Sequence, residues 1–245
     1  MEDKALLSTE EASGAEKAEL LIVIPAYNEA ENIERVVNYL TANFPQYDYV
    51  VVNDGSRDET AAICQRNRYN LLNLPVNLGL AGAFQAGLKY ADKYGYQYAV
   101  QLDGDGQHRP EYLEAMMKKM EEGYDIVIGS RFVGEKKPFT MRMLGSNLIE
   151  MAIRFTTGVN IKDPTSGMRM FSKRMIREFA SGLNYGPEPD TVSYLIRQGA
   201  RVAEVPVIMD ERILGVSYLT PVNAMRYMLK MLISILLIQN FRKRR

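Results

Sequence analysis

The sequence predicts an α/β protein built on one doubly wound, mainly parallel sheet. Two observations carry this. From residue 20 onward short apolar runs alternate with helix-patterned segments, and the polar motifs fall just after the runs. Runs that are apolar on both faces suit strands covered by helices on both sides. Ligands in such sheets bind beyond the carboxyl ends of the strands, which is where these motifs lie.

In order, LLIVI (20–24) reads as the first strand, followed by a helix with Ile33, Val36, Val37 and Leu40 on one face. YVVVND (49–54) precedes a helix over 57–67, and LLNLP (71–75) precedes one over 80–93. YAVQLD (98–103) leads to a helix carrying Leu113, Met116, Met117 and Met120, and DIVIG (125–129) is a fifth strand. Beyond residue 130 a basic loop, GEKKP (134–138), runs into a helix over 140–156. DPTSGMRMF (163–171) follows, then helices over 173–181 and 189–198 and a last strand within ARVAEVPVIM (200–209). The expected division is a flexible leader at 1–19, one domain over 20–220, and an amphipathic basic tail over 221–245.

Composition narrows the classes. Apolar residues make up 47% and charged residues 24% of 245, ordinary values for a globular chain. Thirty basic residues balance thirty acidic ones, so no overall field points to nucleic acid. One cysteine, Cys64, excludes an internal disulfide and fits a reducing compartment. The opening segment is acidic and has no hydrophobic centre, so it does not read as a signal peptide. No apolar run approaches the roughly 18 residues needed to span a bilayer. The tail sets Arg226, Lys230 and Ser234 at intervals of four among apolar residues and ends in Arg242, Lys243, Arg244 and Arg245. Such a helix suits an interface beside anionic lipid, or packing on the domain or a second subunit.

The motif QLDGDGQHRP (101–110) places Asp103 and Asp105 one glycine apart where a strand ends. Two carboxylates so close repel unless a cation or open water separates them. Hard oxygen ligands suit magnesium or manganese, with Gln107 adding an amide oxygen; a solvated Asp-Gly turn is the plain alternative. Ser56 with Glu59, and Asn28 with Glu31, have capping-box spacing at expected helix starts. Helix starts facing one cleft also favour anionic ligands. NLGLAGAFQAG (77–87) misses the dinucleotide fingerprint, no G-K-[ST] occurs, and one histidine, His108, leaves little material for zinc or a triad.

Together these motifs resemble glycosyltransferase family 2, of the GT-A (Rossmann-like) fold, in the branch of dolichyl-phosphate mannosyltransferases and polyprenyl-phosphate hexosyltransferases. The likeness covers residues 20–220. It rests on IPAYNEAENI (24–33), VVNDGSRDET (51–60), NLGLAGAFQAGL (77–88), LDGDGQHRPE (102–111), GSRF (129–132), DPTSGMRMF (163–171) and EVPVIMDERILGVSYL (204–219). It implies an inverting hexosyl transfer from a nucleotide diphosphate sugar, UDP- or GDP-linked. By the same resemblance Pro25, Ala26, Tyr27 and Glu29 line the nucleoside pocket with Asp54 and Gly79. Asp103 lies near ribose and sugar, and Asp105 and Gln107, with Asp103, hold Mg2+ or Mn2+. Arg131 and Arg212, with Arg142, match acceptor-phosphate arginines near Ser146 and the SGMR loop. Leu80 departs from the family, whose members often carry lysine or another polar residue there.

The acceptor decides whether a base is needed. A phosphate monoester is already an anion at neutral pH and needs arginines to hold it. A sugar hydroxyl needs a general base, for which Asp163, Glu188 and Asp190 are the candidates. The favoured expectation is a polyprenyl phosphate acceptor at the cytoplasmic face of a membrane, reached through the tail. The alternatives are a hydroxyl acceptor on a lipid-linked or cell-surface polysaccharide, and a non-catalytic membrane-associated scaffold subunit. No nucleic-acid partner is expected, and a homo-oligomer is left open.

Overall fold

The computed structural model describes residues 18–135, 137, 140–181, 186, 188–210 and 221–240. These residues form one seven-stranded sheet in the order β3-β2-β1-β4-β6-β5-β7. Its strands are β1 (Leu20–Ala26), β2 (Asp48–Asp54), β3 (Leu71–Leu74), β4 (Tyr98–Gln101), β5 (Ile126–Ser130), β6 (Arg169–Ser172) and β7 (Val202–Pro206). All run the same way except β6, which lies antiparallel between β4 and β5.

β6 is the strand that sequence reading did not assign. Four residues, RMFS, are too few to show a period, and its partners are distant in sequence. Its reversed direction has a consequence for the site. Arg169, at its start, pairs with Ile128 and so sits at the edge where the parallel strands end.

Helices cover both faces. β1 is buried along its whole length and supplies Leu21 and Val23 to one layer and Leu20, Ile22 and Ile24 to the other. The second layer holds α1 (Ile33–Asn43), α2 (Thr60–Arg66) and α4 (Leu113–Glu121), whose apolar faces recur with helical spacing. The first layer holds α3 (Gly79–Tyr94), α5 (Met141–Thr157), α6 (Lys173–Ser181), α7 (Pro189–Arg197) and α8 (Pro221–Leu236). Phe84, Phe171 and Phe179 stack at its centre, with ring centroids 5.7 and 5.2 Å apart.

The tail is part of this layer. Met231 and Ile235 of α8 are buried in the same apolar cluster as Ile149 and Ile153 of α5. Each such side chain contributes roughly 1.5–3 kcal/mol. The expected polar stripe of Arg226, Lys230 and Ser234 is broken. The two cations are exposed, but Ser234 turns inward and donates to Asp190 Oδ2 at 2.5 Å. Among the described residues no helix is long and apolar enough to cross a membrane. The leader lies outside the described residues up to residue 17.

Candidate active site

The loops after β1 and β2 are stitched together. Asn28, in the left-handed region at φ 55°, donates from its backbone to Ser56 Oγ at 3.0 Å and accepts from Arg57 N at 2.9 Å. Glu29 N donates to Thr60 Oγ1 at 2.9 Å, and Ala30 N to Asp58 Oδ2 at 3.1 Å. This corrects the capping reading: Asn28 and Ser56 serve each other's loops, while α1 starts only at Ile33. The start of α2 is held instead by Asp58, whose Oδ1 accepts from Thr60 N and Oγ1 at 3.0 and 2.5 Å. Burial works against ionisation of Asp58, but these bonds and that from Ala30 outweigh it and hold its carboxyl below the ordinary value.

The second strand end fixes the third. Asp54 is buried, and its Oδ1 accepts from Leu78 N at 2.7 Å. Asn77 Oδ1 then accepts from Gly79 N at 3.1 Å at the start of α3. PAYNE also touches the aspartate motif. A Cβ added at Gly104 would meet Pro25 O at 3.1 Å, Glu29 Cγ at 3.5 Å and Ala26 Cβ at 3.6 Å. The expected nucleoside-pocket residues Pro25, Ala26, Glu29, Asp54 and Gly79 therefore gather on adjoining loops, with Tyr27 between Ala26 and Asn28.

Each aspartate of the motif has one oxygen oriented by a neutral donor. Gln101 Nε2 donates to Asp103 Oδ1 at 2.9 Å, and Gln107 N to Asp105 Oδ1 at 3.0 Å. His108 is buried, and its Nδ1 accepts from Asp103 N at 3.0 Å. That bond places the imidazole proton on Nε2, which faces Asp103 Oδ2 at 3.6 Å. His108 thus orients Asp103. Gln107 Nε2 donates to Asp210 O at 3.3 Å, and its amide oxygen accepts from no described residue. Among the described residues no three His, Cys, Asp or Glu side chains form a metal cage. The donor set is two carboxylates and an amide oxygen, all hard ligands, and it fits magnesium or manganese.

Past the end of β5, Arg131 pairs with the buried Asp163. Arg131 Nε and Nη2 donate to Asp163 Oδ2 and Oδ1 at 2.7 and 2.9 Å, and Arg131 N adds a third bond at 3.1 Å. Asp163 is fully buried, and its own N–H donates to Glu204 Oε1 at 2.8 Å. The SGMR loop closes beside it: Ser166 Oγ donates to Gly129 O at 2.5 Å, and a Cβ at Gly167 would come within 3.1 Å of His108 Cε1. Arg169 is fully buried. Its Nη2 donates to Pro164 O at 2.8 Å, while its Nε has no partner among the described residues. Burial pulls its pKa down, against the fields of Tyr227, Glu188, Asp163 and Asp103, which raise it. The motif around Arg169 carries no sequence signal of this placement, because nothing local shows which way a four-residue strand runs.

Ser146 on α5 is buried with its Oγ unpartnered among the described residues. Arg212 and the Arg142 side chain lie outside the described residues, although Asp210, two residues before Arg212, is tied by its N to Gln107 O at 3.0 Å and by its carboxylate to Arg109.

Each of the three candidate bases has a hydrogen-bond partner within the protein, and Asp163 is fully buried. Asp163 holds Arg131, Glu188 accepts from Tyr227 Oη, and Asp190 accepts from Ser234, from Gln239 at 3.3 Å and from Thr191 N at 2.8 Å.

An open α/β sheet with acidic and arginine-bearing loops gathered at its strand ends defines a transferase of the GT-A type. Residues 21–179 match the glycosyl transferase family 2 model, and the chain belongs to that family. It is a glycosyltransferase, which sets aside the reading as a non-catalytic scaffold. It is 32% identical over 223 residues to a polyprenol monophosphomannose synthase of Mycolicibacterium smegmatis, covering 86% of this chain and 84% of that one. It is 31% identical over 210 residues to an undecaprenyl-phosphate mannosyltransferase of Micrococcus luteus, covering 81% and 86%. In fold it is similar to glucosyl-3-phosphoglycerate synthase of Mycobacterium tuberculosis, solved with Mn2+, UDP and phosphoglyceric acid. That likeness has a TM-score of 0.64 at 20% identity and covers 92% and 79% of the two chains.

Proposed function

We propose that this enzyme moves a hexose from a nucleoside diphosphate sugar to a polyprenyl phosphate, with inversion, at the cytoplasmic face of a membrane. The observation that carries the acceptor is the engagement of Asp163, Glu188 and Asp190 in structural bonds. A phosphate anion needs no base, whereas a sugar hydroxyl does. The names of the two bacterial relatives, both lipid-phosphate mannosyl enzymes, support the same acceptor.

Asp54, Tyr27, Glu29, Pro25, Ala26 and Gly79 bind the nucleoside, and Asp103, oriented by Gln101 and His108, faces ribose and sugar. Asp105, Asp103 and Gln107 would hold Mg2+ or Mn2+, as solved relatives of this fold do with UDP or GDP-mannose in place. Such an ion, when bound, stabilises the charge that develops on the departing diphosphate. On the other side Arg131 keeps Nη1 available because Asp163 occupies Nε and Nη2. With Ser146 Oγ, Arg142 and Arg212 it holds the acceptor phosphate in line with the anomeric carbon. A phosphate oxygen forms the new bond there as the bond to the diphosphate breaks on the opposite face, and the configuration inverts. No proton is removed from the nucleophile.

The test is a donor screen with UDP- and GDP-hexoses against polyprenyl phosphate, with manganese or magnesium added. Glycolipid product supports the reading. Product formed only on a lipid-linked saccharide hydroxyl overturns it.

A further inference from the structure

The loop that carries Asp105 and Gln107 is held from two sides. From α1, Arg35 Nη2 donates to Asp105 O at 3.1 Å, and its guanidinium lies against Gly106, where a Cβ would stand 2.8 Å from Nη2. Gly106 is at φ 81°, a conformation that suits glycine. From the other side comes Asp210, beyond the end of β7 at Pro206. In the sheet β6 and β5 lie between β4 and β7, so this contact reaches across two strand ends.

Asp210 meets Gln107 through its main chain. Its N–H donates to Gln107 O at 3.0 Å, and its carbonyl accepts from Gln107 Nε2 at 3.3 Å. A carbonyl can only accept, so the end of the amide that faces it is the NH2, and Oε1 points the other way. That bond decides which end of Gln107 is offered to a cation. The Asp210 side chain is held in turn. Arg109 Nε donates to Oδ1 and Oδ2, each at 2.9 Å, and Nη2 adds a further bond to Oδ1. The motif therefore grips Asp210 by backbone at Gln107 and by carboxylate at Arg109, and the contacts close a ring. The two side chains are 40% and 43% exposed, and an ion pair so open to water contributes little to stability. What it fixes is position.

We propose that Asp210, clamped by Arg109, is a positioning residue that turns the Gln107 amide oxygen toward the divalent ion. The proposal rests on the reading of Gln107 as a metal ligand. Groups that orient a ligand from behind commonly carry about 10- to 100-fold of metal affinity. Affinity is read from the EPR signal of free Mn2+, titrated into the enzyme with UDP and no acceptor. Asp210→Ala and Arg109→Ala break the clamp from either end, and each is expected to weaken Mn2+ binding about tenfold. The urea midpoint is expected to stay at the wild-type value in both. The two losses are not expected to add in the double variant, because one clamp is broken in every case. Arg109→Lys keeps the charge without the fork and is expected to fall between wild type and Arg109→Ala. Wild-type affinity in both alanine variants, with binding weakened in Gln107→Ala, would overturn the positioning role and leave Gln107 a ligand. Binding lost in Asp210→Ala but intact in Arg109→Ala would make Asp210 a ligand itself and overturn the proposal too. Wild-type affinity in Gln107→Ala would remove the ligand on which the proposal stands.

Discussion

Arg131 grips Asp163 with two side-chain donors and its own backbone N–H, and Asp163 has no exposed surface. The pair fixes the guanidinium plane and leaves Nη1 directed elsewhere. Asp163→Asn keeps the shape but weakens the grip, so the KM for lipid phosphate is expected to rise while the KM for donor holds. Arg131→Ala leaves a buried carboxylate unpaired and is expected to cost about 3 kcal/mol in urea unfolding. Equal changes in both KM values would show that Asp163 does not position an acceptor ligand.

Asp105→Asn keeps the size of the side chain and removes its charge. Transfer by this variant is expected to fall by about 100-fold or more in kcat, the scale on which electrostatic stabilisation of a leaving group acts. Manganese titration of wild type and variant, read by radiolabelled product, checks it. A variant retaining wild-type metal dependence would remove Asp105 from the ligand set.

His108 is buried behind the aspartate motif. Its Nδ1 is the acceptor for Asp103 N. His108→Phe leaves that N–H unpartnered, at about 1–3 kcal/mol, and is expected to lower kcat/KM for donor about tenfold. His108→Asn offers an amide oxygen near the same place and is expected to recover most of the loss. If both variants behave alike, the bond does not orient Asp103.

How much of this was legible follows from the length scale of each feature. β1, β2 and the helices α3 to α7 announce themselves because apolar period and run length are local properties. The motifs sat at strand ends by the same logic. β6 was not legible, since its direction depends on pairing with Tyr98–Val100 and Ile126–Ile128, far away in sequence. The capping boxes misled because S-x-x-E and N-x-x-E describe spacing, whereas Asn28 and Ser56 had found each other across 28 residues. The partners of Asp163, Glu188 and Asp190 were not legible either, because a sequence shows carboxylates without showing what they bond.

Asp125 ties the start of β5 to α6 and β7, accepting from Arg174 Nε and Nη2 at 2.9 and 2.6 Å and from Arg201 N at 2.9 Å. Burial works against its ionisation, but the Arg174 bond and its companions outweigh that and hold its carboxyl below the ordinary value. The unfolded chain therefore binds more protons in the acid window, and stability falls as pH drops through the folded-state pKa. Urea midpoints from neutral pH down to the carboxylate range are expected to decline, and Asp125→Asn is expected to flatten the decline. A variant with an unchanged slope would assign the acid sensitivity to other carboxylates.

Tyr227 joins α8 to the start of α7, its Oη donating to Glu188 beside the buried Arg169. Burial, with Glu188 next to it, raises the Tyr227 pKa above its ordinary value, so the phenol keeps its proton at neutral pH. Tyr227→Phe removes the donor and leaves Glu188 with one partner fewer in a low-dielectric setting. The expected cost is about 1–3 kcal/mol in chemical unfolding. Glu188→Gln alone is expected to cost a similar amount, because Arg169 then loses a nearby negative charge. If the two residues act as a unit, the double variant costs less than the sum, by at least about 0.5 kcal/mol in a double-mutant cycle. Simple additivity would mean that the tail helix and the Arg169 cluster are energetically independent.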